Sequence, residues 1–490
     1  FLDEQKFKYK VIVDDYETYL SNKIASEYEK WKYPKPLGFS LGSMSGFYKL
    51  NEIYQQFDLM EGSYPQFFIS KDTIGYSWEN RPILAYSFGN PSANVPKILI
   101  TCLHHSREPG TVTTVVFFLF RMFELGQLGD PEALFLLSNR QIWVIPVLNP
   151  DGYVYNETHY PNGGGLWRKN RRKLNDSTFG VDLNRNYGPF EFWNADNNGS
   201  STRPQMETYR GDAPFSEPET RAIRSFCMQH NFKLALNFHT YGGMLIYPFA
   251  AIERETPDSN FYRGFSKYIN SFNGYYFGQD KETVGYPTRG NSDDWMYADD
   301  SLKGKIVAMT PEAGYQFDGF WPNPNRIVPI AIENFPLLRN WLWSAEANIR
   351  PTDFIYRFDT LRKIGSIKIS LQNIGLSDYN ISFPLRITSL SNEYPFDSTI
   401  TISGLESAQD TSFTIQLPIP KPNFVNGTEI NFNVEIVQNG ISRNDTFGVT
   451  LYDYKIVDLM ERQWWDFSKG IWDFELDQIS GRYILSDSPH

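Results

Sequence analysis

The hydrophobic pattern of the chain changes character near residue 350. Before that point, short apolar runs alternate with longer segments whose apolar residues recur every three or four positions. Such alternation predicts an α/β domain in which helices flank a mixed or parallel central sheet. The predicted strands are 83–88, 97–103, 141–148, 233–238 and 304–310, and the predicted helices are 110–125, 217–229, 327–347 and one that begins near residue 45.

After Pro351 apolar and polar residues alternate, in segments such as GSIKISL, STITISGL and EINFNVEIV. This alternation is typical of half-buried strands, and Asn439-Gly440 between two such runs indicates a hairpin turn. We therefore expect an α/β domain at 37–350, followed by an all-β sandwich domain at 351–455. Residues 1–36 are expected to be a propeptide tail or linker, and 456–490 the start of a further, truncated β module.

Composition excludes some classes of protein. The net charge is −11 and the basic residues are scattered, which argues against a nucleic-acid partner. No run of about 18 apolar residues exists, so we expect no membrane span. Cys102 and Cys227 do not make a disulfide framework, and we expect both to be buried free thiols.

Three histidines follow predicted strands. His104 and His105 end the run 97–103, with Glu108 three residues further on, and His239 follows the run 233–238. Because sites in α/β sheets gather at the carboxyl ends of strands, these side chains are candidates for one metal site. Two histidines and a carboxylate with an open position are typical of catalytic zinc. The alternative is that they are loop histidines with ordinary hydrogen bonds. The absence of H-E-x-x-H excludes the helix-borne type of metalloprotease.

Other charged residues lie near the ends of predicted elements. Glu312 follows an apolar run and is a candidate base for a metal-activated water; its alternative is an ion pair with an arginine. Two arginine-containing segments, 167–171 (WRKNR) and 182–186 (DLNRN), are candidates for binding an anionic group of a substrate. Surface salt bridges are the alternative reading for both segments.

These motifs, taken in order, resemble those of the M14 zinc metallocarboxypeptidases. The resemblance covers residues 40–350 and rests on HSRE at 105–108, WRKNR, GVDLNRN, FHTY, Tyr286 followed by Asp293-Asp294-Trp295, and Glu312. It implies the zinc carboxypeptidase fold and hydrolysis of the C-terminal peptide bond of peptides and proteins. It further implies one zinc ion held by His105, Glu108 and His239.

The resemblance also implies roles for the remaining residues. Asp182 would orient a zinc-bound histidine, and His104 would pack beside the site without binding metal. Glu312 would act as general base and then as acid toward the leaving amine. The other implied roles are to hold the oxyanion (Arg171), to clamp the terminal carboxylate (Asn184 and Arg185), to close over the bound end (Tyr286) and to line the next subsite (Arg107).

Substrate preference depends on the bottom of the terminal-residue pocket. The resemblance places Asp293 there, which implies a preference for C-terminal Lys or Arg. Ala250 occupies another pocket position, where some relatives carry an acid. Dual or hydrophobic specificity stays an alternative, as does a structural role for Asp293 in a pair with Arg289.

Two other functions are weighed against this one. A cell-wall peptidase of the same fold would cleave γ-D-glutamyl-diaminopimelate links, and such enzymes tend to depart from the motif at the clamp and selector positions. A catalytically silent peptide-binding or adhesion protein would have lost a ligand or Glu312, and neither is lost here.

The last expectations concern calcium, location and assembly. The Asx-rich segment 194–200 is a possible Ca²⁺ site, although the EF-hand spacing is missing and a plain loop is the alternative. The trailing sandwich is similar to that of secreted bacterial carboxypeptidases, so we expect a secreted, extracellular or cell-surface protein. A monomer is favoured.

Overall fold

The computed structural model describes residues 35–174, 178–298, 303–359, 364–391, 395–417, 428–451, 472–477 and 482–487. Nearly all of the predicted segment 1–36, and much of 456–490, lie outside the described residues. The chain divides into two compact units, of which one contains residues 28–348 and 374–377 and the other contains the C-terminal strands. The predicted boundary near residue 350 lies close to this division.

The first unit alternates strands with helices. In chain order its elements are α1 (Leu50–Ser63), β1 (Phe68–Tyr76), β2 (Pro82–Gly89), β3 (Lys97–Thr101), α2 (Gly110–Gln127), α3 (Pro131–Asn139), β4 (Gln141–Ile145), α4 (Pro150–His159), a 3₁₀ turn (Leu183–Arg185), α5 (Phe190–Trp193), α6 (Pro218–Gln229), β5 (Phe232–Asn237), β6 (Met244–Ile246), α7 (Ser259–Asn273), β7 (Tyr276–Gly278), α8 (Asp280–Thr283), α9 (Ser292–Tyr297), β8 (Val307–Glu312), α10 (Pro324–Glu333) and α11 (Phe335–Ser344).

In the described part of this unit, eight strands form one mixed sheet in the order β1-β2-β4-β3-β5-β8-β6-β7. The central strands β4, β3, β5 and β8 are parallel, whereas β1, β2 and β6 run antiparallel to neighbours. The prediction of a mixed central sheet flanked by helices is confirmed. The carboxyl ends of the four parallel strands share one edge of the sheet, where their loops meet.

Both faces of the sheet are covered by helices. On one face, Trp143 of β4 packs edge-on against Phe226 of α6, with ring centroids 5.2 Å apart. On the other face, Phe88 of β2 contacts Phe123 of α2 at 5.1 Å. Helix α2 is buried along nearly its whole length, which explains why its sequence is apolar on all sides.

Two predicted elements differ from the observed ones. The predicted helix 327–347 is two helices, α10 and α11, which meet at Asn334; Pro336 lies in the first turn of α11, where its missing N–H is tolerated. Strand β8 begins at Val307 and extends to Glu312, beyond the predicted end at residue 310. Glu312 is therefore the last residue of a strand and not a loop residue.

In its described part, the second unit contains two antiparallel sheets, of three and four strands, and a separate two-stranded hairpin. One has strands β9 (Ile349–Asp359), β10 (Ile364–Asn373) and β13 (Asp410–Leu417), and the other has β11 (Phe383–Ser389), β12 (Asp397–Ile402), β14 (Thr428–Gln438) and β15 (Ile441–Leu451). Phe354 of the first sheet contacts Phe432 and Phe447 of the second. Residues 472–477 and 482–487 pair as a separate antiparallel hairpin.

Within the described residues, no individual helix has the length and hydropathy needed to cross a membrane; α2 and α3 meet these criteria only as a pair, bent by 111°. Both cysteines are buried free thiols, as predicted.

Candidate functional site

Three neighbouring strands end beside one another and carry the predicted metal site. His105 and Glu108 lie in the turn after β3, His239 lies two residues after β5, and Glu312 ends β8. The His239 N–H donates to the carbonyl of Pro311 at 2.9 Å, and the Ala313 N–H donates to the carbonyl of His239 at 2.9 Å. These two hydrogen bonds hold His239 beside Glu312.

The side chains of His105, Glu108 and His239 converge. One ligand atom from each lies within 4.8 Å of the others, and all three residues are buried. The Nδ1 atoms of the two imidazoles are 3.0 Å apart, and each faces one oxygen of Glu108, at 2.8 Å from His105 and 2.9 Å from His239. We call these three residues the metal triad.

The electrostatics of the metal triad suit a divalent cation. Burial lowers the pKa of His105 to about 4 and that of His239 to about 3, and the charge of Arg168 adds to the effect. Both imidazoles are therefore neutral at pH 7 and have a lone pair to share. Two neutral imidazoles and a carboxylate are ligands that zinc prefers, so the residues present fit the metal that the sequence resemblance implies.

Asp182 joins His105 to a nearby arginine. One of its oxygens accepts a hydrogen bond from Nε2 of His105 at 3.1 Å, and the other accepts from Nε and Nη2 of Arg168 at 3.1 and 2.9 Å. Burial would raise the pKa of Asp182, but Arg168 and His105 outweigh it and hold that pKa well below its usual range. The Asp182 carboxylate thus keeps the His105 proton on Nε2 and leaves Nδ1 for the metal.

The structure does not place Arg171 at this site, contrary to the prediction. Its guanidinium lies over the rings of Tyr155, Trp167 and Phe179, at 4.1 to 4.5 Å from their centroids. Arg168, three residues earlier, is the arginine of this segment whose charge acts on Glu108 and Glu312. The sequence reasoning missed Arg168, because spacing within a loop does not tell which guanidinium points inward.

The segment of Arg168 is held to the metal triad by backbone contacts. The N–H of Ser106 donates to the carbonyl of Arg168 at 3.2 Å, and its hydroxyl donates to the carbonyl of Trp167 at 2.6 Å. Asn156 of α4 donates to both the Ser106 and the Trp167 carbonyls at 2.9 Å. In the sequence, Ser106 lies between the predicted site residues His105 and Arg107. Its contacts with Trp167 and Arg168 are the link that connects the segment of Arg168 to the site.

Asn184 and Arg185 lie on the far side of His239. The Asn184 amide nitrogen is 3.3 Å from Nε2 of His239, and its oxygen accepts from the N–H of Ser292 at 2.9 Å. Arg185 donates from Nε to the carbonyl of Gly199 at 2.8 Å and from Nη1 to that of Asn184 at 2.7 Å. The guanidinium plane of Arg185 is therefore fixed by two backbone acceptors.

Arg107 borders the site, and Tyr286 lies at the surface. Tyr286 is 54% exposed. Arg107 stacks over Phe320 at 4.3 Å and lies 3.6 Å from a carboxylate oxygen of Glu207. Its charge acts on Glu108 and Arg168, which places it beside the metal triad.

Asp293 is buried beneath the site, at the start of α9. One oxygen accepts from the amide of Asn237 and the other from the hydroxyl of Thr310, both at 2.6 Å. Burial raises the pKa of Asp293 to about 7. The alternative pair with Arg289 is not observed, since Arg289 donates to Ser200 and to the carbonyl of Ala195.

His104 is outside the metal triad. Its Nε2 lies 2.9 Å from the Tyr187 hydroxyl, and its ring stacks on that of His239 at 5.3 Å. Burial keeps the pKa of His104 well below its usual value. The residue is a neutral packing partner of His239.

Calcium binding by the segment 194–200 is not shown; the possible metal cluster among the described residues is that of His105, Glu108 and His239. The side chain of Asn194 accepts from Arg210, and that of Asn197 bonds to Ala251 and Gly199 within the described residues. The guanidinium of Arg289 lies against the same loop. Oxygens already in hydrogen bonds and a nearby cation do not suit Ca²⁺, and the loop instead supports Arg185 through the carbonyl of Gly199.

Comparisons with known proteins agree with this geometry. Residues 53–337 match a sequence family described as zinc carboxypeptidase. Mouse carboxypeptidase A4 is 30% identical over 347 residues, and bovine carboxypeptidase A1 is 31% identical over 344 residues; each match covers 68% of this chain and 78% of the relative. A structure of bovine thrombin-activatable fibrinolysis inhibitor with tick carboxypeptidase inhibitor is 26% identical, has a TM-score of 0.52 and covers 62% of this chain and 98% of that chain.

The contact between Asp182 and His105 yields a prediction about metal affinity. An Asp182→Asn variant loses the charge that orients His105 and neutralises Arg168, so we expect zinc affinity to fall by roughly 10- to 100-fold. Competition with a chromogenic chelator measures it. Asp212→Asn is the control, since Asp212 is exposed and pairs with Arg172; it should keep the wild-type affinity. Equal affinities in all three proteins would contradict the role given to Asp182.

Proposed function

Because the chain belongs to the M14 family of zinc carboxypeptidases, we propose that it removes single C-terminal residues from peptides and proteins, with a preference for Lys and Arg. The chain is a metallocarboxypeptidase, and this family acts on peptide C-termini. The observation that carries the proposal is the convergence of the metal triad with Glu312 at one edge of the sheet. Arg185 provides a fixed positive charge on the adjoining 3₁₀ turn.

Glu312 is proposed as the proton carrier. A zinc ion held by the metal triad would lower the pKa of water and polarise the scissile carbonyl. Burial, with the charge of Glu108 adding to it, raises the pKa of Glu312 well above its usual value, and a carboxyl with a raised pKa can both accept and return a proton near pH 7. Glu312 takes the proton of the attacking water and returns it to the leaving amine.

Arg168 takes over the role that the sequence suggested for Arg171. Two of its nitrogens bind Asp182, which holds the guanidinium in one plane. A fixed guanidinium N–H is a suitable donor to the oxygen on which negative charge develops during attack. The electrostatic influence of Arg168 on Glu312 and Glu108 supports this assignment.

Arg185 and Asn184 are proposed to bind the terminal carboxylate. A guanidinium binds a carboxylate through paired hydrogen bonds, and the two backbone acceptors of Arg185 orient it in advance of substrate. An internal peptide bond offers no carboxylate and so is not aligned. Tyr286 is exposed and would close over the bound end, while Arg107 would contact the residue further from the terminus.

The preference for Lys and Arg depends on Asp293. Among the described residues, no lysine or arginine contributes to its pKa, which is set by burial, two neutral donors and the acid Asp280. A buried carboxylate without a cation is unfavourable, and a substrate ammonium or guanidinium would supply the missing charge. An apolar C-terminal residue would supply no positive charge. Dual or hydrophobic specificity is therefore the alternative to the preference for Lys and Arg.

Two rival functions are compared with the proposed one. A cell-wall peptidase fits the same family and stays an alternative; such enzymes tend to depart from the motif at the clamp and selector positions, whereas Asn184, Arg185 and Tyr286 are all present here. A silent binding protein would not need the metal triad together with Glu312. Action outside the cell and a monomeric state remain predictions from the sequence.

The proposed activity is tested on a peptide that ends in arginine. The zinc-loaded protein should release arginine, and a chelator should abolish the release. Glu312→Gln should bind zinc as the wild type does but lower kcat by roughly 10³-fold, because the amide cannot accept a proton. Released arginine is measured by mass spectrometry. Chelator-insensitive release, or full activity of the variant, would contradict the proposal.

A matched pair of variants distinguishes the roles of Arg168 and Arg171. Arg168→Lys loses the fork on Asp182 and should lower kcat/KM by roughly 10²-fold. Arg171→Lys, which changes a guanidinium stacked on three aromatic rings, should leave kcat/KM within about threefold of wild type. Steady-state kinetics on one peptide gives both values. A larger loss of kcat/KM in Arg171→Lys than in Arg168→Lys would instead support Arg171 as the residue that holds the oxyanion.

Asp293 predicts a pH-dependent preference. Its carboxyl, with a pKa of about 7, is mostly protonated below pH 7 and charged above it. The ratio of kcat/KM for peptides ending in Arg and in Phe should therefore rise about tenfold from pH 6 to pH 8, since kcat/KM reports the free enzyme. Titration of Glu312 affects both substrates and cancels in the ratio.

Asp293→Asn is the control for this prediction. The amide can keep bonds to both Asn237 and Thr310, so the fold should persist. In this variant, the ratio of kcat/KM for the Arg-ended and Phe-ended peptides should not change with pH. At pH 8 it should be roughly 100-fold lower than the wild-type ratio. A wild-type ratio that did not change between pH 6 and pH 8 would count against Asp293 as the selector.

A further inference from the structure

A cavity of about 300 Å³ lies between the loop 249–255 and the start of α8. Its walls include Ala250, which the sequence resemblance assigns to the terminal-residue pocket, and Asp280, the first residue of α8. Asp294 accepts hydrogen bonds from the N–H groups of Ala250 and Ala251 at 2.9 and 2.8 Å. The loop that forms one wall is thus anchored one residue away from Asp293.

Asp280 presents an unused acceptor in this cavity. The residue is 5% exposed, and its Oδ2 atom has no hydrogen-bond partner among the described residues. The carboxyl is held by the hydroxyl and the N–H of Thr288. A buried carboxylate oxygen without a donor is unfavourable, so it indicates a place for a donor that arrives from outside.

Asp280 acts electrostatically on residues of the candidate site, in addition to sharing a cavity with Ala250. Its carboxyl lies close enough to Asp293 and Glu312 to raise the pKa of each, and close enough to Arg185 to feel that positive charge. The cavity wall also carries Lys281, which pairs with Glu253, and Arg254, which lies over the ring of Phe249. Among the described residues, neither Asp280 nor Asp293 forms an ion pair with a lysine or arginine.

We propose that Asp280 is a second specificity-determining residue, which together with Asp293 makes the terminal-residue pocket select arginine over lysine. This inference rests on the proposed function. Both oxygens of Asp293 already accept a hydrogen bond from a neutral side chain. Oδ2 of Asp280 has none, so it is the more available acceptor for a substrate donor.

The difference between arginine and lysine follows from the shapes of their cations. A guanidinium carries five N–H donors in a plane and can bind two carboxylates at once. An ammonium is a compact point charge that satisfies one carboxylate well and reaches a second one less well. A pocket with a single acid would bind a C-terminal arginine and a C-terminal lysine about equally, whereas a pocket with two acids favours the guanidinium of arginine.

The test compares Asp280→Asn with a matched change on the rim of the same cavity. Glu253 has a 78% exposed side chain and pairs with Lys281, so Glu253→Gln removes an equal charge without touching the buried acids. For each protein, kcat/KM is measured on three peptides that differ only in a terminal Arg, Lys or Phe.

In Asp280→Asn the Arg-to-Lys ratio of kcat/KM should fall by roughly tenfold. Any change that acts through the pKa of Glu312 affects all three peptides and cancels in this ratio. Glu253→Gln should keep the wild-type ratio. An unchanged ratio in Asp280→Asn would overturn the inference. A parallel loss on Arg, Lys and Phe would also overturn it, because it would mean that Asp280 only holds Thr288 and the loop of Tyr286.

A binding measurement makes the inference independent of catalysis. Calorimetric titration of the wild-type, zinc-loaded protein with free L-arginine and L-lysine should give a Kd for arginine about tenfold lower, and in Asp280→Asn this difference should disappear. Equal constants in the wild type, or the same difference in the variant, would overturn the inference. If neither wild type nor variant releases a terminal residue, the proposed activity fails, and the binding constants of the two proteins still decide the role of Asp280.

Discussion

The buried carboxylate of Asp182 is the group on which the rest of the site depends. It is held between the His105 imidazole and the Arg168 guanidinium, with two hydrogen bonds from the latter. A buried charge is stable only when it is paired and hydrogen-bonded. Asp182 meets this condition by drawing together the turn after β3, the loop of Arg168 and the 3₁₀ turn of Arg185. This ionic contact thereby orients a proposed metal ligand, positions a proposed oxyanion donor and sets the start of the proposed carboxylate clamp.

The parallel sheet explains why such a contact can exist. Strands β3, β5 and β8 end at one edge. Residues at or near their ends are joined, partly through Asp293 of α9, by hydrogen bonds from Thr101 to Asn237, from Asn237 to Asp293 and from Thr310 to Asp293. This buried chain lies below the metal triad and ties the strand ends to α9. A polar network of this kind is stable when its members are satisfied. Asp293, at the centre of this network, is also the proposed selector. The same residue therefore ties the strand ends together and is proposed to set the substrate preference.

The sequence was a good guide to strand ends and a poor guide to loops. The positions of His105, Glu108 and His239 followed from apolar runs that end in ligand residues, and the structure brings these three together. The choice between Arg168 and Arg171 depended on how one loop folds against Ser106, and no periodicity records that. The second acid, Asp280, was missed for the same reason: its approach to Asp293 arises from the packing of α8 against the loop of Ala250, which are distant in sequence.

We propose that the chain acts on peptides with a free terminal carboxylate. Mass spectrometry tests this on one arginine-ended peptide, supplied as the free acid and as the C-terminal amide, after incubation with the zinc-loaded protein. The free acid should lose its terminal arginine while the amide stays intact, because Arg185 has no carboxylate to bind in the amide. Equal cleavage of both peptides, or cleavage at internal bonds, would contradict it.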